Sequence, residues 1–355
     1  MIEDDVVAVP HDLQEYAELK GYIMATIRDV ARLAGVSIST VSRVLNKSGY
    51  VNSETEREVN KAIQMLKYEP SDVARGLTNK KTRTIALILP DIVNPFFPEL
   101  SRAVEDVART SGYTVIFGNS DGQANKEKAY INILKQKYIS GIIFASHNLN
   151  RDDVEYLQKI DIPFVVLDRA PSQEGCTVVR SNNFEGAKLA VQHLLDVGCK
   201  KIAHIYGPQE INTAKDRLSG YEESVKNFKW YSPTLMVPGN FKLDGGMNAA
   251  HVLMERHPDV DGIFVGNDLM AVGALKTLLR LGINVPNQIA ICGFDGIHLA
   301  EAVEPELTTI AQPIYEMGAL AADLLIKKIE GAVVDNRIYE LEVKLVPRAS
   351  TTKEI

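Results

Sequence analysis

The segment 26–46 reads TIRDVARLAGVSISTVSRVLN and predicts two short helices joined by a tight turn. Thr26 is a preferred helix-capping residue, and Asp29 adds a negative charge to the first turn, where the helix dipole favours it. Gly35 supplies the left-handed conformation that a turn of three or four residues needs. Ser37 is then placed to cap the second helix. Caps, turn and apolar spacing agree, which disfavours an ordinary surface hairpin and predicts a helix-turn-helix motif.

The second helix of this motif carries small polar and methyl-bearing side chains near its start. Such side chains suit the edges of DNA bases, and Arg43 suits guanine or phosphate, when a recognition helix enters the major groove. The motif therefore predicts binding to double-stranded DNA. The residues predicted to contact DNA from this motif and the loop after it are Thr26, Ser37, Ile38, Ser39, Thr40, Ser42, Arg43, Asn46 and Tyr50.

A third helix is predicted over 54–66, with Ser53 as its cap. It ends before Pro70, because a residue that precedes proline avoids the helical conformation. Ser71 is placed to cap one more helix over 72–77, and a basic stretch follows it. A helix of about six residues is marginal alone in water, so we expect this one to form only when docked on DNA or on a second copy of the chain.

Charge is distributed unevenly along the 355 residues, although the net charge of −7 alone argues weakly against nucleic acid as a partner. Residues 24–84 carry eleven Lys or Arg and six Asp or Glu, whereas residues 1–23 carry one and six. The positive charge therefore coincides with the helix-turn-helix, as expected for a surface that binds DNA. We expect residues 1–23 to be an acidic extension and Met24 to be the natural start.

Several classes of protein are disfavoured. No run of 18 apolar residues predicts a membrane-spanning helix, and residues 1–23 lack the features of a signal peptide. The three cysteines are few and far apart, which favours reduced core residues in a cytoplasmic, nucleoid-associated protein. A P-loop, a dinucleotide fingerprint, metal-ligand spacing and a nucleophile elbow are all missing from the sequence. We therefore expect no cofactor, no metal and no catalytic residues.

The pattern changes after residue 84 to short apolar runs that alternate with helical stretches, the rhythm of parallel sheets covered on both faces. About 270 residues of this pattern exceed one open sheet, which predicts two α/β lobes. Strands are predicted over 85–89, 114–117, 141–145, 164–167, 202–206, 262–265 and 289–292. Helices are predicted over 97–109, 126–136, 151–159, 184–197, 214–226, 244–256 and 269–281.

A small all-α helix-turn-helix domain with a hinge helix, followed by a two-lobed α/β body of parallel sheets, resembles the LacI–GalR family of bacterial repressors. The most specific motifs are IRDVARLAGVSISTVSRVLN, YEPSDVARGL and VNPFFPEL. The resemblance implies a homodimer on a palindromic operator, with Leu77 wedged into the minor groove and Ala74 small enough for the partner hinge helix to approach. It also implies a DNA-binding domain over 24–69, a hinge helix and linker over 70–83, an N-terminal lobe over 84–182 and 313–342, and a C-terminal lobe over 183–312 and 343–355.

The body is similar to periplasmic sugar-binding proteins, and the match is sharpest for ribose binders. The resemblance implies that a cleft between the lobes is lined by Asn94, Phe96, Phe97, Asp168, Arg169, Arg217, Phe241, Asn267, Asp295 and Gln312. This set suits a pentose, since aromatic rings cover the faces of the sugar ring while carboxylates, guanidinium groups and amides bind its hydroxyls. We expect the sugar to close the lobes through three crossings, near 181–183, 312–313 and 342–344, and to release the DNA.

Three alternatives stay open at this point. A purine corepressor is one, but its site in this family would carry an arginine where this chain has Ile211-Asn212-Thr213. A phosphorylated carrier protein that docks on the body is the second. The third belongs to a different functional class, a sugar-processing α/β enzyme, and turnover of a pentose by the pure protein would favour it.

Overall fold

The computed structural model describes residues 25–68, 82–145, 151–168 and 175–352. The chain divides into two units, Met1–Thr82 and Arg83–Ile355. The predicted hinge helix with Ala74 and Leu77, the acidic extension and Arg169 lie outside the described residues. In the described parts, no helix is long and apolar enough to cross a membrane.

The first unit contains α1 (Ile27–Leu33), α2 (Ile38–Asn46) and α3 (Ser53–Met65). At the start of α1 the Thr26 hydroxyl donates to Asp29 Oδ2 at 2.7 Å, and the same carboxylate oxygen accepts from the Thr26 backbone N–H at 3.0 Å. This capping box fixes the point at which the chain enters the motif. The three helices enclose a small core.

The turn between α1 and α2 has the predicted chemistry. Gly35 takes a φ of +65°, and Ser37 Oγ accepts from the Thr40 backbone N–H at 3.2 Å. The prediction that Ser53 caps the third helix is wrong. Asn52 is the cap, with its Oδ1 accepting from Glu54 N at 2.8 Å, and Ser53 is the first helical residue. Ser and Asn have nearly equal capping preferences, so the sequence left this boundary uncertain by one residue.

The second unit contains two six-stranded sheets. The strands are β1 (Thr84–Leu89), β2 (Thr114–Asn119), β3 (Gly141–Phe144), β4 (Phe164–Leu167), β5 (Val178–Ser181), β6 (Ile202–Tyr206), β7 (Met236–Pro238), β8 (Gly262–Val265), β9 (Ala290–Asp295), β10 (Thr308–Ala311), β11 (Ile338–Leu341) and β12 (Lys344–Val346). The first sheet has the order β11-β5-β4-β3-β1-β2 and is parallel throughout, while the second has the order β12-β10-β9-β8-β6-β7 with only β12 antiparallel.

Helices cover both faces of each sheet. They are α4 (Phe96–Thr110), α5 (Ala124–Gln136), α6 (Arg151–Lys159), α7 (Asn183–Asp196), α8 (Asn212–Val225), α9 (Leu243–Arg256), α10 (Asp268–Arg280) and α11 (Ile314–Ile329). Strand β1 shows why the buried strands read as unbroken apolar runs. Its residues alternate between the two faces, with Ile85, Leu87 and Leu89 in one core and Ala86 and Ile88 in another.

The chain passes between the two sheets at three points. It leaves the first sheet after Ser181, returns after Ala311, and leaves it again between Leu341 and Lys344. The carboxyl ends of β4, β9 and β10 therefore lie next to these crossings, because β4 is the neighbour of β5 and β9 is the neighbour of β10. Open α/β sheets bind ligands at the carboxyl ends of their strands, so this edge is the place to look for a site.

Candidate functional site

Helix α2 presents a polar surface. Ser37, Ser39 and Thr40 form one hydrogen-bonded cluster at its start, with Ser37 Oγ 2.7 Å from Ser39 Oγ and 2.9 Å from Thr40 Oγ1. Ile38 is 45% exposed and Tyr50 is 92% exposed. Among the other predicted DNA contacts, Thr26, Ser37, Ser39, Arg43 and Asn46 are exposed, and Thr40 and Ser42 are half-buried. The face available to a ligand therefore contains the predicted residues, and contact with DNA stays a prediction.

A cavity lies at the carboxyl ends of strands from both sheets. Nine of the ten residues implied by the sugar-binder resemblance line it, and the tenth, Arg169, lies outside the described residues. Thr213 also lines the cavity and was not predicted. The lining is Asn94, Phe96, Phe97, Asp168, Thr213, Arg217, Phe241, Asn267, Asp295 and Gln312. We call this space the inner cavity.

The first sheet contributes one wall of the inner cavity through the turn after β1. Asn94 Oδ1 accepts from Phe96 N at 3.1 Å, and this turn starts α4. The rings of Phe96 and Phe97 meet edge to face with their centroids 5.1 Å apart. Asp168 follows β4 in a left-handed conformation, and its backbone N–H donates to Val179 O at 2.8 Å. This wall therefore joins apolar rings to polar side chains.

The second sheet contributes the opposite wall. Phe241 lies over Gly207, where a Cβ would stand 2.3 Å from the aromatic ring, so only glycine leaves room for the ring. Asn267 caps α10 through its Oδ1, which accepts from Met270 N at 3.0 Å, and its Nδ2 donates to Phe241 O at 3.2 Å. The amide of Asn267 thus fixes both the helix start and the aromatic residue.

Arg217 is the cation of the inner cavity and is only 4% exposed. Its Nε donates to Asn183 Oδ1 at 2.8 Å, and its Nη1 donates to Gly266 O at 2.6 Å and to Asp295 Oδ1 at 3.2 Å. The guanidinium carbon lies 3.8 Å from the centroid of the Phe294 ring, in a cation–π contact. These contacts hold the guanidinium in a single orientation.

Gln312 connects Asp295 to the first crossing between the sheets. Its Nε2 donates to Asp295 Oδ1 at 2.8 Å, and its Oε1 accepts from the Ser181 hydroxyl. Ser181 and Gln312 lie on different crossings, so this pair of contacts joins two crossings to the inner cavity. A ligand that bonds to Asp295 would meet an acceptor already held in place from two sides.

Three lining residues other than glycine have positive φ. The values are +62° for Asp168, +62° for Phe241 and +124° for Asp295. Each such conformation costs about 1–3 kcal/mol and persists only where the surroundings enforce it, a pattern found at ligand sites. The backbone strain therefore coincides with the inner cavity.

Asp268 is a functional candidate that the sequence reasoning missed. Burial, with a smaller contribution from the charge of Asp295, raises the pKa of Asp268 to about 8. The only signal was its place after Asn267 in VGND, which predicts merely an acid in the first turn of a helix.

Thr213 could have been predicted from the sequence, since it precedes Arg217 by one turn on α8 and lies on the same face of that helix. Within the described ranges, no group of three or more His, Cys, Asp or Glu is placed to hold a metal ion.

Two apolar surfaces lie away from the inner cavity. Beside α10, a groove is lined by the apolar residues Val272, Leu275, Leu279 and Val303 and by the charged residues Lys276, Arg280 and Glu304. Leu279 is 46% exposed there, whereas Val272 and Leu275 are buried. On the first lobe, the edge strand β2 exposes Phe117 by 48% and Ile116 by 40%. An exposed apolar edge strand favours pairing with another chain, and together these patches indicate interaction surfaces.

Comparison with known proteins gives consistent matches. The model of the lacI family of bacterial regulatory proteins matches residues 26–71, and that of the periplasmic binding protein-like domain matches residues 191–351. The ribose operon repressor of Halalkalibacterium halodurans is 47% identical over 328 residues, which cover 92% of this chain and 97% of the relative.

Two solved structures extend this comparison. A LacI family transcriptional regulator from Enterococcus faecium with bound ribose is 32% identical, with a TM-score of 0.69, and the match covers 75% of this chain and 98% of that one. The lac repressor dimer bound to operator and the anti-inducer ONPF is 26% identical, with a TM-score of 0.83, over 93% of this chain and 100% of that one.

Proposed function

Because the chain belongs to the lacI family of bacterial regulatory proteins, we propose that it is a sugar-responsive repressor that binds a palindromic operator as a dimer. D-ribose or a related pentose in the inner cavity releases the DNA. The observation that carries the proposal is the convergence of nine residues of a ribose-type set on one cavity, in a chain that also has a helix-turn-helix. The chain acts as a regulator in the cytoplasm, not as an enzyme.

The chemistry of the inner cavity favours a small polyhydroxylated ligand. The aromatic rings of Phe96, Phe97 and Phe241 cover apolar faces of a sugar ring, while Asp168 and Asp295 accept from its hydroxyls. Buried polar groups of this kind reject a ligand that lacks one hydroxyl, because a partner is then left unpaired.

The residues that line the cavity favour a pentose over a purine. Thr213 lines the cavity within the segment Ile211-Asn212-Thr213, where a purine site of this family would carry an arginine. The hydroxyl of Thr213 adds one more partner for a sugar hydroxyl. A corepressor protein that docks elsewhere on the body would not use the inner cavity, so the two modes are separable by experiment.

Sugar binding reaches the DNA through the crossings between the lobes. Gln312 bonds both to Asp295 in the inner cavity and to Ser181 on the first crossing, so a change at the cavity alters the geometry of two crossings. A coupling free energy of about 1–3 kcal/mol changes operator affinity about 5- to 150-fold. The hinge residues Ala74 and Leu77 carry this change to the centre of the operator.

The dimer forms through the two apolar surfaces of the body. A second copy would cover both the groove around Leu279 and Val303 and the exposed edge of β2 with Ile116 and Phe117. A two-fold axis presents the same patch of both subunits to each other, and it also presents two α2 helices to two half-sites. The same two-fold axis therefore relates the two subunits of the dimer and the two half-sites of the palindrome.

Isothermal titration of the full chain with D-ribose, 2-deoxy-D-ribose and hypoxanthine tests the proposal. We expect binding of D-ribose, binding of 2-deoxy-D-ribose that is at least about tenfold weaker, and no binding of hypoxanthine. Binding of hypoxanthine with no heat from either sugar would refute the sugar effector and favour a purine.

A further inference from the structure

Asp268 occupies a fully buried position immediately after the cavity residue Asn267. One of its carboxyl oxygens, Oδ2, accepts from the backbone N–H groups of Gly296 at 2.7 Å and of Ile297 at 3.0 Å. The other oxygen, Oδ1, lies 2.6 Å from Thr309 Oγ1. A single carboxyl thus joins the turn after β9 to strand β10.

The two segments that bond to Asp268, the turn at Gly296 and strand β10, each adjoin a cavity residue. Gly296 follows Asp295, whose φ of +124° needs its surroundings to enforce it. Thr309 lies on β10, three residues before Gln312. The chain also reserves space for this carboxyl, because a Cβ at Gly293 would lie 2.3 Å from Asp268 Oδ1. The hydrogen bonds of Asp268 therefore determine where Asp295 and Gln312 stand.

We propose that Asp268 is a positioning residue of the sugar site, which holds Asp295 and Gln312 in their binding geometry and does so as the neutral acid. This inference rests on the proposed function. Thr309 Oγ1 donates to Oδ1 when the carboxyl is ionised. In the neutral acid this contact is reversed, so that the O–H on Oδ1 donates to Thr309 Oγ1 while Oδ2 still accepts the two backbone N–H groups, and every polar atom of the carboxyl has a partner.

The surroundings favour the proton. Burial of the carboxyl and, to a smaller extent, the negative charge of Asp295 on β9 raise the pKa of Asp268. The hydrogen bonds from Thr309, Ile297 and Gly296 lower it, and the balance is a pKa of about 8. The other titratable group acting here is Cys292, also on β9, and burial raises the pKa of its thiol so that it stays neutral. Strand β10 contributes the uncharged hydroxyl of Thr309, and the cation Arg217 bonds to Asp295 from α8.

A proton held in this way makes sugar binding depend on pH. Closure of the lobes on a sugar removes water from around Asp295, which strengthens its repulsion of an ionised Asp268. The proton on Asp268 is therefore bound more tightly in the complex than in the free protein. Affinity for the sugar should fall as the pH rises past about 8, by up to about tenfold per pH unit for one coupled proton.

The test is calorimetric titration of the full-length protein with D-ribose between about pH 6.5 and pH 9.5, for wild type, Asp268→Asn and Asp268→Ala. An Asn side chain reproduces the acceptor and donor of the neutral acid but does not ionise. Asp152→Asn is the matched control, since Asp152 is an exposed aspartate in the first turn of α6. Operator binding without sugar reports that each variant is folded.

We expect Asp268→Asn to bind D-ribose within about threefold of wild type near pH 7 and to lack the loss of affinity above about pH 8. Asp268→Ala should bind at least about tenfold more weakly at every pH, and Asp152→Asn should follow wild type. An Asp268→Asn variant that loses affinity in parallel with wild type would overturn the inference, even if the alanine variant fails to fold. No binding of D-ribose by wild type would overturn the proposed function and the inference with it.

Discussion

Replacing Asp295 by Asn should weaken D-ribose binding by about 30- to 140-fold. The Asn side chain keeps the shape and the oxygen that accepts from Gln312 Nε2 at 2.8 Å and from Arg217 Nη1 at 3.2 Å. It loses the negative charge, and an NH2 group that can only donate replaces the second carboxylate oxygen. A hydrogen bond to a charged group contributes about 1–1.5 kcal/mol more than a neutral one. For a carboxylate that accepts two sugar hydroxyls the loss is about 2–3 kcal/mol, which converts to this range of affinity.

The substitution has a second measurable effect inside the protein. It leaves Arg217 buried without its counter-charge, and breaking a buried ion pair in this way costs about 3–5 kcal/mol. It also removes the negative charge that contributes to the raised pKa of Asp268, so that pKa should fall. Thermal unfolding of the variant should therefore occur at a lower temperature, while the operator is still bound below that temperature.

Calorimetric titration at neutral pH measures the affinity, and fluorescence anisotropy of labelled operator checks DNA binding. Asp259→Asn is the control, because Asp259 is on the same lobe, is 66% exposed and pairs with Lys201 at the surface. That control should bind D-ribose as wild type does. An Asp295→Asn variant that binds within threefold of wild type would refute the role of the Asp295 charge in sugar recognition.

Four further results are expected. Leu77→Ala should weaken operator binding without changing sugar binding, and equal operator affinity in a gel-shift titration would contradict the wedge. Raising salt from about 50 to 200 mM should weaken operator binding by about a thousandfold, whereas a flat response would contradict a phosphate-contacting domain. Leu279→Glu should produce monomers in analytical ultracentrifugation, because the charge enters the apolar groove; an intact dimer would argue against that surface. The free energy of unfolding measured in urea should decrease as the pH rises from about 4 to 8 in wild type relative to Asp268→Asn, because folding raises the pKa of Asp268. Parallel plots of unfolding free energy against pH for the two proteins would contradict a neutral Asp268.

The elements that the sequence predicted correctly are those with strong local signals. The cap at Thr26, the left-handed Gly35 and the buried runs such as Phe164–Leu167 each depend on neighbouring residues alone. Strand boundaries were less certain, and β9 continues to Asp295, three residues beyond the predicted end. The predicted fold class is confirmed by the two sheets and by the family matches.

Five strands and one helix were not predicted, for identifiable reasons. Strand β5 contains Arg180 and Ser181, and β10 reads TTIA, so neither looks like a buried apolar run. Strands β7 and β12 have only three residues, and β11 is a half-exposed edge strand. Helix α11 (Ile314–Ile329) is apolar over most of its length and was passed over, although its length alone favours a helix. These elements form because the sheet supplies partners distant in sequence.

The inner cavity required more than local reasoning. Asp168, Arg217 and Asp295 taken singly have ordinary structural explanations, and only the joint resemblance placed them in one cleft. Asp268 shows the limit most clearly, since nothing in VGND distinguishes a surface acid from one that is fully buried beneath β9 and β10. The pKa of Asp268 depends on its burial and on partners distant in sequence, and a local sequence pattern gives information on neither.

The most direct measurement is binding of the purified protein to palindromic DNA from its own upstream region, at fixed salt, with and without D-ribose. We expect tight binding without the sugar and a loss of affinity of about 5- to 150-fold when D-ribose saturates the protein. Operator binding that does not change at saturating D-ribose would contradict control of DNA affinity by a pentose in the inner cavity.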